Sequence, residues 1–207
     1  MNALLLTDIQ NDFCPGGALA VAAGDRVVAP ANRLAAVWEL VVATQDWHPA
    51  NHGSFAANHP GHRPGEIVKL DGIDQILWPV HCVQGTPGAA FHPGLDLGPV
   101  AAVFHKGTDP LVDSYSAFFD NGHRRATGLG DYLRERQVRE LAICGLATDY
   151  CVKYTALDAL ALGFAVTLVT DACRGVNLRP EDSAQALAEL AARGARLATS
   201  AELLARP

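Results

Sequence analysis

Short, almost unbroken apolar runs alternate with amphipathic stretches along this chain. Ala3–Thr7, Leu40–Thr44, Val100–His105, Leu141–Gly145 and Ala165–Thr170 each have the length of a strand. A strand with one wet face alternates apolar and polar residues. A run that is apolar throughout suits a strand covered on both faces, as in a parallel sheet. Between the runs, Asp25–Glu39, Leu129–Gln137, Asp149–Leu162 and Pro180–Arg193 carry helical periodicity. Leu157, Leu160 and Ala161 share one face of the third helix, and Pro180 suits a helix start, where its missing N–H costs nothing. A further short strand is expected near Arg196–Thr199. The strand–helix–strand order predicts an α/β fold: a three-layer α/β/α sandwich with a mostly parallel central sheet and right-handed crossovers.

One stretch breaks the rhythm. Residues 47–99 hold seven of the twelve prolines, eight of the nineteen glycines and six of the eight histidines, and no strand is expected there. A loop region of that length inside a compact domain is usually functional or disordered. Its histidines and tryptophans, Trp47 and Trp78, favour function. With no internal repeat and no low-complexity linker, residues 1–207 read as a single domain.

Composition narrows the classes. Hydrophobic residues make up 49% of the chain and charged residues 18%, against roughly 25% in an average soluble domain, so a sizeable core forms and disorder is excluded. A net charge of −6 without a basic cluster argues against nucleic-acid or anionic-membrane partners, which need a positive patch. The opening residues lack a basic start, and their apolar run, Ala3–Leu6, is too short for a signal peptide or a membrane span. The five cysteines are an odd number, which predicts reduced thiols and a cytoplasmic setting.

In open parallel sheets, ligands bind beyond the carboxyl ends of the strands. Asp8 follows the first run, Asp46 and His48 the second, and Lys106 the third; after the fourth, Gly145–Cys151 turns into a helix. If Thr148 caps that helix, Cys151 falls in its first turn, where free N–H groups and the positive end of the macrodipole favour a thiolate. Lys106 would lower the thiol pKa further, and Asp8 could accept its proton and later deliver one to a leaving amine. Taken singly, these residues also suit plainer roles: a core thiol (as Cys144 within its strand), a turn cap and a solvated charge. Together at strand ends they favour chemistry.

A second grouping is Asp46–Trp47–His48 with His81. Residues two apart in an extended segment point the same way, so Asp46 and His48 can reach one ion, and His81 can close the site. Two imidazoles and a carboxylate suit zinc, iron or manganese. His52 and Ser54 are candidates for extra or water-bridged ligands. His59 and His62 read as a polar surface loop.

These residues lie in motifs that identify a resemblance. The segments LLTDIQNDFCPGGAL (5–19), TQDWHPANHGSF (44–55), WPVHCVQGTPGAAFHP (78–93), FHKGTDPLVDSYSAFFDN (104–121), GLATDYCVKYTALDAL (145–160) and VTDACRGVN (169–177) resemble the nicotinamidase branch of the isochorismatase-like cysteine hydrolases. The resemblance implies hydrolysis of nicotinamide to nicotinate and ammonia in NAD salvage, with pyrazinamide as a side substrate. It implies a triad of Asp8, Lys106 and Cys151, and a cis peptide between Leu146 and Ala147 that aims the N–H groups of Ala147 and Cys151 at the oxyanion. It implies one divalent metal ion, zinc first and then iron or manganese, on Asp46, His48 and His81. The ion holds the pyridine nitrogen directly or through water. Whether His52 or Ser54 adds a fourth ligand stays open. Phe13, Trp78 and Tyr115 match the aromatic wall of the ring pocket, and Tyr150 lies beside the nucleophile, where some relatives carry histidine. Cys14, Cys82 and Cys173 are assigned to packing. The partner is then a small-molecule substrate, with no nucleic acid or membrane and with a homo-oligomer left open. Three readings compete. A carbamoyl or ureido amide hydrolase would usually lack the D-x-H pair. An isochorismatase would not use the cysteine. A non-catalytic binding module would lack a triad member.

Overall fold

The computed structural model describes residues 1–205. Six strands form one sheet: β1 (Asn2–Thr7), β2 (Leu40–Asp46), β5 (Val100–Lys106), β6 (Glu140–Leu146), β7 (Ala165–Arg174) and β8 (Arg196–Ala198). Their order is β5-β2-β1-β6-β7-β8, and every pairing is parallel. The apolar runs explain the order. β1 and β2 are buried along almost their whole length, with Leu4 paired to Val41 on one side and Ala142 on the other. Burying one leucine of this kind contributes about 1.5–3 kcal/mol, so the leucines of β1 favour the centre of the sheet. β5, at the edge, alternates half-buried and exposed residues instead.

Helices cover the sheet. α1 (Val28–Ala35) touches α5 (Ser200–Leu204), and α3 (Lys153–Ala161) touches α4 (Asp182–Ala192). α2 (Leu129–Glu135) sets Tyr132 edge-on to Phe104 of β5. The expected three-layer architecture is the one observed, with differences in detail. The long first helix is shorter: a tight turn over Gly24–Val27 leads into α1, which ends at Ala35. α3 buries Ala156 and Ala159, while Leu157 and Leu160 are only half-buried and Ala161 is exposed. The small side chains bring the helix close to the sheet. Pro180 stands before α4, which starts at Asp182.

The loop region does contain strands. β3 (Ile67–Leu70) and β4 (Ile73–Ile76) form an antiparallel hairpin. Asp71 and Gly72 make its two-residue turn with φ of 46° and 83°. Two positive φ values at the turn match the right-handed strand twist, and Asp-Gly is among the pairs that adopt them readily.

The topology positions the site. β1 connects outward to β2 and then β5, while β6 connects the other way to β7 and β8. The order in which strands are added therefore reverses between β1 and β6, and a crevice opens there beyond their carboxyl ends.

Candidate active site

Asp8 leaves β1 in the left-handed region, with φ 47°, which a short polar side chain tolerates better than most. The turn aims its carboxylate inward, where it is fully buried. Thr44 Oγ1 donates to Asp8 Oδ1 at 2.7 Å, and Lys106 Nζ lies 2.9 Å from Oδ2. Lys106, at the end of β5, is 2% exposed. Its ammonium also donates to Asp46 Oδ1, to the Ser114 carbonyl at 2.9 Å and to Cys151 Sγ at 3.3 Å. One lysine thus joins a carboxylate, a thiol and the carboxylate of Asp46.

Cys151 differs from the expectation in two ways. It lies in a single π-turn over Thr148–Val152 ahead of α3, and Thr148 makes no side-chain cap; the residue preceding the turn is Ala147. Its thiol is also not a ready thiolate. Burial pushes it well above the usual thiol range, against the pull of Lys106, with Asp8 and Asp46 adding to the rise. Desolvation outweighs a single neighbouring ammonium because that ammonium already serves two carboxylates. Burial likewise raises Asp8 despite Lys106. Burial would lower Lys106, but Asp46 and Asp8 outweigh it and hold the ammonium well above its usual value.

The peptide between Leu146 and Ala147 is cis. Asp149, close by, accepts from the backbone N–H groups of Val176 and Asn177 at 2.9 and 2.7 Å, tying this turn to the segment after β7.

Asp46, His48 and His81 are all buried, and their ligand atoms lie within 4.8 Å of one another. Nε2 of His48 and Nε2 of His81 stand 3.6 and 3.8 Å from Asp46 Oδ2. The opposite ring nitrogens explain the orientation. Nδ1 of His48 faces the Gly107 carbonyl at 2.8 Å, and Nδ1 of His81 faces the Pro79 carbonyl at 2.8 Å. A carbonyl only accepts, so each Nδ1 carries a proton, and each ring is held with its Nε2 turned inward toward Asp46. Gly107, at φ 63°, is needed here, since a Cβ would stand 2.3 Å from the His48 ring. The donor set fits a divalent cation on two imidazoles and a carboxylate.

His52 is fully buried beside His48, with ring centroids 4.3 Å apart. It groups with His48 and Asp113, not with Asp46 and His81. Its Nδ1 meets Ser54 Oγ at 2.7 Å, while its buried Nε2 has no partner. The Ser54 hydroxyl is thereby committed to His52. His59 and His62 stay apart, bonded to the Gly53 carbonyl and to Glu66.

Between thiol and metal-type cluster lies a cleft walled by Phe13, Trp78, Tyr115 and Tyr150, with His81, Ala147 and Cys151 at its floor. Trp78 and Tyr150 meet edge to face at 4.9 Å, and Trp78 Nε1 donates to Tyr115 Oη at 3.1 Å. Leu19, Asp113 and Val176 also line it; each lies inside one of the motifs, but nothing in the sequence pattern singles them out. Gln75, which donates to Asp113 at 2.9 Å and to Tyr115 at 3.2 Å, lies outside every motif and carries no sequence signal.

A thiol, a carboxylate and an ammonium at the switch point of a parallel α/β sheet have the make-up of a hydrolytic enzyme with a sulfur nucleophile. The family follows from comparison: a model described as the isochorismatase domain matches residues 2–202, and this chain belongs to that family. The nicotinamidase of Escherichia coli strain K12 is 59% identical over 205 residues, covering 97% of this chain and 95% of that protein. The structure of a nicotinamidase pyrazinamidase of Acinetobacter baumanii has a TM-score of 0.95 at 46% identity, over 98% of this chain and 97% of that one. A pyrazinamidase of Pyrococcus horikoshii in complex with zinc has a TM-score of 0.79 at 40% identity, over 96% and 98% of the two chains.

Proposed function

We propose that this chain is an amidohydrolase that converts nicotinamide to nicotinate and ammonia, acting as one domain in cytoplasmic NAD salvage and accepting pyrazinamide as a side substrate. The observation that carries the reading is Lys106, whose ammonium stands 2.9 Å from Asp8 and 3.3 Å from Cys151 and also contacts Asp46 of the metal-type cluster. The identity to the E. coli nicotinamidase supports the substrate.

Burial keeps the resting thiol protonated, so attack requires a base. Asp8 is that base, and its own raised pKa brings it closer to the working pH. Asp8 removes the proton as Cys151 Sγ attacks the carboxamide carbon. The N–H groups of Ala147 and Cys151 receive the oxyanion; donors of this kind are worth about 3 kcal/mol each. The C–N bond then breaks, Asp8 returns the proton to the departing nitrogen, and ammonia leaves behind a thioester. A water, deprotonated by Asp8, attacks the thioester carbon. The C–S bond breaks, Asp8 returns its proton to the departing sulfur and restores the thiol, and the released acid ionises in water to nicotinate. Lys106 stays charged throughout and offsets the negative charge that passes between sulfur and carboxylate.

Phe13, Trp78, Tyr115 and Tyr150 sandwich the ring. Asp46, His48 and His81 would hold a divalent cation, zinc by analogy with the P. horikoshii complex and otherwise iron or manganese. When bound, the cation would fix the pyridine nitrogen and so the orientation of the carboxamide. His52, with its unpartnered buried Nε2, is better supported than Ser54 as a further contributor.

The decisive experiment is an ammonia assay with nicotinamide, before and after chelation and with zinc, iron or manganese added back. Activity should fall on chelation and return on addition. No ammonia under any metal condition would overturn the proposal. His81→Ala is expected to lower metal content and to raise KM by about 10–100-fold while changing kcat less, because the loss falls on ring placement. Unchanged metal content and KM would remove His81 from the site.

A further inference from the structure

β2 outruns β1. The ladder between them stops at Leu6 and Ala43, and β1 turns away at Asp8. On that side the last residues of β2 meet side chains instead, while β5 still pairs with the other side of β2 through Thr44–Phe104, Gln45–His105 and Asp46–Lys106. Thr44 binds Asp8, and Asp46 is held by Gln10. Gln10 Oε1 accepts from the Asp46 N–H at 2.8 Å, and its Nε2 donates to the Asp46 carbonyl at 2.8 Å. The same Nε2 donates to the Ala89 carbonyl at 2.8 Å. The side chain is fully buried. One amide thus takes the place of a neighbouring strand, reading both backbone groups of a single residue.

That residue carries the carboxylate shared by two functions. Asp46 Oδ1 accepts from Lys106, and Oδ2 faces His48 and His81. Beyond Ala43, β5 is the one strand among the described residues that pairs with β2, so without Gln10 the main chain of Asp46 would be held from one side only, and the two imidazoles, each anchored at Nδ1 by a backbone carbonyl, cannot follow a shifted carboxylate.

We propose that Gln10 is the positioning residue of the metal centre, fixing the main chain of Asp46 so that its carboxylate meets His48 and His81 in a preset geometry. This rests on the cation reading above, and the test separates the two.

The experiment measures zinc affinity of folded protein by competition with a chromophoric chelator, and the absorption of the cobalt(II)-substituted protein. Partners one layer behind metal ligands typically change affinity 10–100-fold, so Gln10→Met should weaken zinc binding by that factor and shift the cobalt bands. KM for nicotinamide should rise more than kcat falls. Should Gln10→Met fail to fold, Gln10→Glu keeps the acceptor for the Asp46 N–H while altering the donor, and weakened zinc binding is expected there too. Gln45→Met is the control. Gln45 Nε2 donates to the same Ala89 carbonyl at 3.0 Å and its Oε1 faces His105, but its side chain makes no hydrogen bond to the Asp46 main chain, so the zinc affinity of this variant should stay within about twofold of wild type. Equal losses in the Gln10 and Gln45 variants would mean that only the Ala89 loop matters, and would overturn the inference. Unchanged affinity and cobalt spectrum in the Gln10 variants would overturn it as well. Failure of the wild-type protein to bind either metal would instead sink the cation reading.

Discussion

Cys151→Ala is expected to lower kcat/KM for nicotinamide by about four orders of magnitude or more, the scale seen when a nucleophile is removed from a covalent mechanism. No other thiol stands in. Cys14, Cys82, Cys144 and Cys173 are all buried, and burial pushes each of their thiols upward. Lys106 donates to Cys151 Sγ alone among the five sulfurs. The fold should survive, because the change removes one atom at the floor of a cleft, and a small cavity costs about 1–2 kcal/mol. Acid quenching of the wild-type reaction should trap substrate bound to protein through a thioester, and the alanine variant should trap none. Ammonia release by the variant within tenfold of wild type would exclude the covalent route.

Much of this centre is legible in the amino-acid sequence, for a physical reason. Strands buried on both faces must be apolar, so the polar residues within one or two positions after each run mark a strand end. Asp8, Asp46 and Lys106 are found in that way, and the parallel topology brings them together. Cys151 is found from the turn after the fourth run, and His81 from its chemistry beside the Asp46–His48 pair; the motifs add the aromatic wall, where periodicity says nothing.

What the sequence hides follows the same logic. The hairpin β3–β4 sits in a segment rich in proline and histidine, although Asp71-Gly72 between Leu70 and Ile73 is a turn signal in its own right. The weight of surrounding loop residues masks four-residue strands that alternate exposure. Gln10 and Gln75 give no signal because a glutamine is ordinarily a surface residue, and only burial reveals that their amides bind backbone and side-chain partners inside the fold. The thiolate expectation fails on magnitude. Sequence can place a lysine beside a cysteine, but not show that the lysine is shared between two carboxylates or that the sulfur is fully desolvated.

Lys106→Met is expected to cost both activity and stability. The ammonium is the sole cation touching Asp8 and Asp46 among the lysine and arginine ion pairs of the described residues, and it is almost fully buried. Removing one partner from a buried charge group leaves the others uncompensated, which costs about 3–5 kcal/mol. The pH dependence carries the signature. In the wild type, Lys106 has a raised folded pKa, so its contribution is complete below the unfolded value and is lost only as pH rises through the folded one, far into the alkaline range. In the variant, Asp8 loses the lysine that opposed its desolvation, so its already raised pKa rises further. The folded variant then keeps a proton that the unfolded chain has released, and its stability falls as pH climbs from about 4 toward neutrality. Urea unfolding at pH 5 and pH 8 should therefore show a deficit against wild type that is smaller at pH 5 and larger at pH 8. A deficit equal at both values, or below about 1 kcal/mol at pH 8, would mean that the carboxylates do not depend on this ammonium, and would remove Lys106 from the centre of the mechanism.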